Sequence, residues 1–337
     1  MGFLNYVIRR LALQVLVLFG VLVITFLISH LIPGDPAQLI AGPRATQEII
    51  DKIKHESGLD KPLYVQFSVY LKGLFHGSLG TSIRTRRPVV QDIKRHFPAT
   101  FELVTASFFI ILILSIPLGV LSAVYKDRLF DHISRLFSIA GISMPVFWLG
   151  LLLLLLFYVK LGWLPGTGRI DIGIAPPSHI TGLHTIDALL AHNWEALRNS
   201  LTHLILPALT LSYVSLARVV RMLRSSMLEA LGQDYIQTAR AKGLAERFVL
   251  YKHALRNAFI PALTVIGLSY GELLQGAVVT ETIFGWPGMA YYAVGSMISL
   301  DFPAVMGVTL ISAIIYTTIN LMVDLFYGFI DPRIRFD

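Results

Sequence analysis

Six long apolar runs, separated by stretches that hold most of the charge, leave this chain little choice of solvent. They cover residues 11–28, 101–124, 137–158, 205–220, 259–279 and 304–326. A helix rising ~1.5 Å per residue needs about 20 such residues to cross ~30 Å of hydrocarbon. Five runs are roughly long enough as they stand, and residues 205–220 are so only with their polar ends included. Charged residues make up 15% of the chain and the mean hydropathy is +0.66, against about 25% charged in soluble domains. The 337 residues allow two soluble domains by length, but the runs overrule that reading. The expectation is an all-α, polytopic membrane protein with six transmembrane helices.

The same pattern excludes several functions. There is no cysteine, so disulfides and thiolate metal sites are ruled out. A net charge of +7 raises the question of nucleic acid, but the cations sit at the ends of apolar runs, where lipid topology places them. Lipid is therefore the expected partner, and nucleic acid is not. The first run follows Arg9-Arg10, exceeds a signal peptide's ~7–15-residue core and has no A-x-A-like site after it, so it reads as a retained span.

Cation counts orient the bundle. With the N-terminus inside, inner segments hold two cations at Arg9-Arg10, three at 125–135, eight at 217–257 and two at 333–335. The short outer loops hold only Lys160, Arg169 and Arg198. Fifteen against three puts both termini, and the 221–257 segment, in the cytoplasm. The outer segment 34–98 carries ten cations over 65 residues, just past the loop length of about 60 where that rule fades.

Finer features follow. Within 34–98, residues 47–54 read as a helix and Pro62 opens a second, amphipathic one. Arg84, Arg86 and Arg87 beside Pro88 form a cluster that meets a partner, a carboxylate or simply solvent. Pro117-Leu118-Gly119 marks a kink in the second span, and Pro145 lies inside the third. Trp286-Pro287-Gly288 suggests a tight turn at the lipid interface, and Asp324 is placed to pair with a loop cation. The expected division is 1–96 (first span plus outer segment), 97–328 (five-span core) and 329–337 (cytoplasmic tail).

The inner stretch 234–256, DYIQTARAKGLAERFVLYKHALR, stands out as polar and basic between apolar flanks. Asp234, Gln237, Thr238, Ala239, Arg240, Ala241, Lys242, Gly243 and Leu244 combine small side chains with cations. Small residues admit a close neighbour, and Gly243 is suited to end one short helix before another begins. From spacing alone, a docking surface and a solvated loop that only fixes topology are both open.

This stretch resembles the cytoplasmic "EAA" loop of importer-type ABC permeases, in its di/oligopeptide branch. The family pattern is Glu-Ala-Ala, three residues, then Gly. Here Gln237-Thr238-Ala239 stands in for the triplet, with Gly243 in place. The general Ile-x-Leu-Pro element falls on His253-Ala254-Leu255-Arg256, and the proline comes at Pro261. Both departures fit peptide-branch loops. Further matches are Pro33-Gly34-Asp35-Pro36, Leu79-Gly80-Thr81-Ser82, Glu281-Thr-Ile-Phe-Gly-Trp-Pro-Gly288 and Asp331-Pro332-Arg333. The resemblance implies a type I importer permease in the inner membrane that passes di- or oligopeptides inward. It implies a second homologous permease, two cytoplasmic ATPases and an external peptide-binding protein as partners. ATP and Mg belong to the ATPases, and no cofactor is implied for this chain.

The residues agree that energy comes from elsewhere, because no GxxxxGK[ST] phosphate loop is present. Gly141-x-Ser143 lacks a membrane-centre base, and His55-Glu56 lacks the second histidine of a zinc protease. Glu272, near the middle of the fifth run, is the most informative charge: a carboxylate in lipid must face a pathway or a partner. It either receives a peptide ammonium or glues neighbouring helices. Gly267, Gly271 and Gly276 mark that helix for close packing or for the translocation path. The rival reading, an autonomous secondary transporter or channel, needs several such groups, and one is convincing.

Overall fold

The computed structural model describes residues 3–31, 36–42, 45–56 and 58–330. The motifs at Pro33-Gly34-Asp35 and Asp331-Pro332-Arg333, and the side chain of Asp324, lie outside the described residues. In chain order the helices are α1 (Phe3–Leu31), α2 (Pro36–Ala41), α3 (Gln47–Glu56), α4 (Leu63–Phe75), α5 (Val89–Val124), α6 (Leu129–Ser143) and α7 (Val146–Leu153, continuing as a π turn Leu154–Lys160). Then come α8 (His184–Leu190), α9 (Trp194–Leu231), α10 (Asp234–Ala241), α11 (Glu246–Phe248, continuing as a π turn Val249–Ala254), α12 (Leu255–Ile283), α13 (Met289–Ile298) and α14 (Phe302–Ile330). One isolated bridge, Thr81 to Pro88, is the extended pairing among the described residues. The helices expected at 47–54 and after Pro62 are present as α3 and α4.

Among the described residues, five stretches are long and apolar enough to cross a membrane: Val7–Leu31, Val89–Val124, Trp194–Leu231, Glu246–Ile283 and Phe302–Val323. The sixth expected span is not one helix. It is a pair, Leu129–Ser143 and Val146–Lys160, bent by 114°. The cause is local. Met144, preceding a proline, is driven to extended backbone (φ −92°, ψ 127°), and Pro145 (φ −61°, ψ 135°) becomes the N-cap of α7. α9 runs far past residues 205–220, because Asn193 caps its start by accepting from Ala196 N at 3.0 Å. The residues expected as a loop after Trp286 contain α13.

The chain forms two compact units. One comprises residues 1–98, 287–322 and 328–337. Its core joins Leu22, Leu79, Val89, Ile93, Met289, Tyr292 and Val308, and Gly307 lies so close to Val89 that any Cβ there would sit 2.6 Å from its Cγ1. Asp301, fully buried, organises the 79–88 loop by accepting from Ser82 Oγ, Ile83 N (3.0 Å) and Arg84 N (3.2 Å). Arg84 then lies over Tyr292 and Arg87 pairs with Asp92, so two of the three clustered arginines are engaged within this unit.

The other unit comprises residues 99–286 and 323–327. Leu103, Ile111, Leu211, Leu216, Ile266, Leu273 and Trp286 form its larger core. A second cluster, with Leu223, Met227, Ile236, Ala239, Val249 and Ala258, lies where α9, α10 and α12 converge. Gly141 permits α6 to touch α9: a Cβ there would meet Ala217 Cβ at 2.7 Å.

Candidate functional site

α10 is held by few side chains. Ile236 and Ala239, three residues apart and so on one face, are its two buried residues. Ala239 was expected among the contact-making residues. It is 7% exposed and packs into the chain's own core, so it seats the helix. Asp234, Gln237, Thr238, Arg240, Ala241, Lys242, Gly243 and Leu244 are all exposed. Asp234 lies in the first turn, where its charge suits the helix dipole. Arg240 forms a bidentate pair with Glu246, at 2.6 and 3.2 Å.

The end of α10 is a Schellman closure. Gly243 adopts φ +76° and its N–H donates to Arg240 O at 2.9 Å, while Leu244 N–H reaches back to Ala239 O at 3.4 Å. The turn delivers Leu244 (41% exposed), and Phe248 (50%) and Tyr251 (58%) follow. Arg240, Lys242, Arg247 and Lys252 are exposed on the same segment as these apolar and aromatic side chains.

Glu272 is paired. Both of its oxygens accept from Arg218 of α9, Oε1 from Nη1 at 2.9 Å and Oε2 from Nη2. Of the three glycines singled out on α12, Gly271 is buried, Gly267 half-buried and Gly276 exposed. A Cβ on Gly276 would stand 3.3 Å from Leu211 of α9, so that position serves the α9–α12 contact. Trp286 does not face outward: it is 1% exposed and donates its indole N–H to Ala99 O at 2.8 Å.

Family comparison decides what these surfaces belong to. Residues 115–336 match the model of the binding-protein-dependent transport system inner membrane component, and residues 3–104 match that family's membrane-component N-terminal model. The chain belongs to this permease family. It is 55% identical to the probable D,D-dipeptide transport system permease protein DdpB of Escherichia coli (strain K12) over 95% of this chain and 94% of that protein. Similarity also extends to the dipeptide transport system permease protein DppB of Alkalihalophilus pseudofirmus, at 43% over 99% and 100%. The glutathione transport system permease protein GsiC of Escherichia coli O6:H1 is 40% identical over 99% of both chains. The resemblance first carried by the 234–256 motifs is thus a family membership, and the protein is a multi-pass inner-membrane transport component rather than an enzyme.

In this permease the sequence reading missed a cluster of cations. Arg218, Arg221 and Arg224 were counted as loop charges, yet all three lie within α9. Arg218 meets Glu272, and Arg224 meets the fully buried Asp131 of α6 at 2.6 and 2.7 Å. The available signal was the three-residue spacing, which places Arg218 and Arg221 on one helix face, together with a lone intramembrane glutamate in need of a partner. The segment between α7 and α9 hides a second network. Arg169 donates to Glu102 and to Gly182 O (3.0 Å) and lies over Trp286.

Proposed function

We propose that this permease conducts di- or oligopeptides inward across the inner membrane, driven by ATP hydrolysis on two separate cytoplasmic ATPase subunits. A second homologous permease completes the conduit, and an external peptide-binding protein delivers the cargo. ATP and Mg bind the ATPases, and this chain binds no cofactor. The observation that carries the reading is α10: a short helix rooted by Ile236 and Ala239, tied to α12 by the Asn257–Tyr235 hydrogen bond and exposed at its other positions. An element attached so lightly and displayed so openly fits a groove on a partner.

In this reading residues 221–257 lie in the cytoplasm, as the cation count places them, with both termini on the same side. Asp234, Gln237, Thr238, Arg240, Ala241, Lys242, Gly243 and Leu244 meet the ATPase, while Ala239 transmits the displacement into the second core cluster. Residues 97–328 act as the transport core, with Gly267, Gly271, Glu272 and Gly276 at helix contacts along the path. Closure of the ATPase pair biases a two-state bundle through this helix. The names of full-length relatives, for dipeptides, D,D-dipeptides and glutathione, support small peptides as cargo.

The test is reconstitution of the complex in proteoliposomes with a labelled dipeptide. ATP-dependent uptake is expected, and Gly243→Asp is expected to retain the ATPases while losing uptake. Failure of any ATPase to co-purify, or normal uptake in that variant, removes the reading.

A further inference from the structure

A cavity of about 490 Å³ opens between α9 and α12, lined by Arg218, Arg221, Met222, Ser225, Val265, Leu268 and Glu272. That volume lies within the ~300–1,000 Å³ typical of small-molecule sites. Arg218 is 24 residues into the 38-residue α9, and Glu272 is 17 residues into the 29-residue α12, so the ion pair itself lies away from the ends of both helices. That pair is not sealed, with Arg218 34% and Glu272 40% exposed. A charge pair left in view on two largely apolar helices faces water or polypeptide, because hydrocarbon does not tolerate charge.

The charges do not balance. Two arginines face one glutamate, and Arg221, one turn from Arg218, has neither hydrogen bond nor ion pair among the described residues. Arg218 also keeps a buried Nε without a partner. The spare cation leaves the cavity with a net positive wall that is open to an anionic group. The remaining lining, Met222, Val265 and Leu268, is apolar and, at Met222, adaptable, which suits side chains of varied shape.

A second cavity of about 260 Å³ lies further along the same helix pair, lined by Ser226, Glu229, Gln233, Tyr235 and Asn257 among others. On α9, Ser226 and Glu229 extend the 218, 221, 222, 225 series by steps of three and four, so one stripe of that helix contributes a wall to both. The two cavities follow one another along α9 from the ion pair toward α10.

We propose that the upper cavity is a transit site for the charged ends of a peptide. Arg221 receives the α-carboxylate, and Glu272, exchanging one of its bonds to Arg218, receives the α-ammonium. This rests on the peptide cargo proposed above and adds a site to it.

The chain has no cysteine, so label carried by this chain, separated from its partners on a denaturing gel, reports on a single introduced thiol in the cavity. The experiment uses the complete complex in proteoliposomes with Ser225→Cys, a small water-soluble methanethiosulfonate, and D-Ala-D-Ala or Ala-Ala. The free peptide is expected to slow labelling at least fivefold, and its C-terminal amide is expected to give no protection. Adding Arg221→Gln should abolish protection and lower uptake at least tenfold while the complex still assembles. The exchange Arg218→Glu with Glu272→Arg should assemble but not transport, whereas a purely structural pair would be rescued by it. Undiminished labelling during normal ATP-driven uptake overturns the site while leaving the cargo intact. An unreactive thiol, meaning that the cavity is packed against the second permease, overturns it too, as does full uptake by the exchanged pair. Absence of any dipeptide uptake by the wild-type complex instead removes the cargo, and the transit site with it.

Discussion

α10 and α12 end in the same way and are put to opposite uses. Gly243 (φ +76°) and Gly285 (φ +55°) each reverse the chain. In each case the next residue reaches back five positions, Leu244 N to Ala239 O and Trp286 N to Glu281 O. After α10 the closure pushes Leu244 into view. After α12 it drives Trp286 into the core, under Arg169 and against Ala99. Glu281, at the root of that second closure, is itself buried and accepts from Thr100 at 2.6 Å. Identical backbone chemistry thus makes a handle at one end and an anchor at the other. What decides is the residue after the glycine and whether partners surround it.

The sharpest way to break the comparison is to empty the anchor. Trp286→Ala removes a fully buried aromatic and its hydrogen bond, and is expected to cost ~3–5 kcal/mol, read as a lowered unfolding midpoint in detergent. Next come the glycines. Gly243→Val and Gly285→Val both force a β-branched residue into left-handed backbone, at about 1–2 kcal/mol each. Neither position adds a severe clash, with nothing within 4 Å at Gly243 and Thr167 Cβ at 3.8 Å at Gly285. Similar stability losses with ATP hydrolysis uncoupled only in Gly243→Val would confirm the division of labour, and uncoupling in both would erase it.

A pH titration separates the ends further. Near the anchor, burial and then the charge of Arg169 push His184 down to about 4. The unfolded chain binds that proton near ~6.5, so it holds more protons than the folded state between the two values. Stability from this group is full above ~6.5, falls as the pH drops toward 4, and is flat below. His184→Gln should flatten that window in thermal unfolding scans. The smallest stability effect belongs to the handle: Leu244→Ala is expected to change it by less than ~0.5 kcal/mol while weakening capture of the ATPases in a pull-down. A larger loss of folding stability there would mean that Leu244 is an anchor as well.

Much of the architecture was legible, for identifiable reasons. Apolar length is set by the bilayer, so the spans show as runs, and a glycine after a short polar helix signals its own cap. α3 and α4 carried enough local pattern to be placed within a few residues. Other features depend on partners far away in the chain. Trp286 looks interfacial until Ala99, 187 residues earlier, accepts its N–H. Arg218 looks like a loop cation until Glu272 is seen across the groove, 54 positions on. Ala239 looks like an open contact until the second core cluster is assembled around it. Pro145 was visible, but whether a proline kinks a span or splits it depends on what receives the freed backbone, and that is a tertiary property.

One such split has a mechanical sequel. α6 is bolted to α9 at two levels, by the close seat of Gly141 on Ala217 and by the two hydrogen bonds that Arg224 donates to Asp131. On α6 those bolts are ten residues, ~15 Å, apart. A rod fastened at two points cannot swivel on its neighbour, so the two helices travel as a single strut. Whatever swing the segment from Leu129 to Lys160 undergoes must be taken up at the Met144–Pro145 elbow.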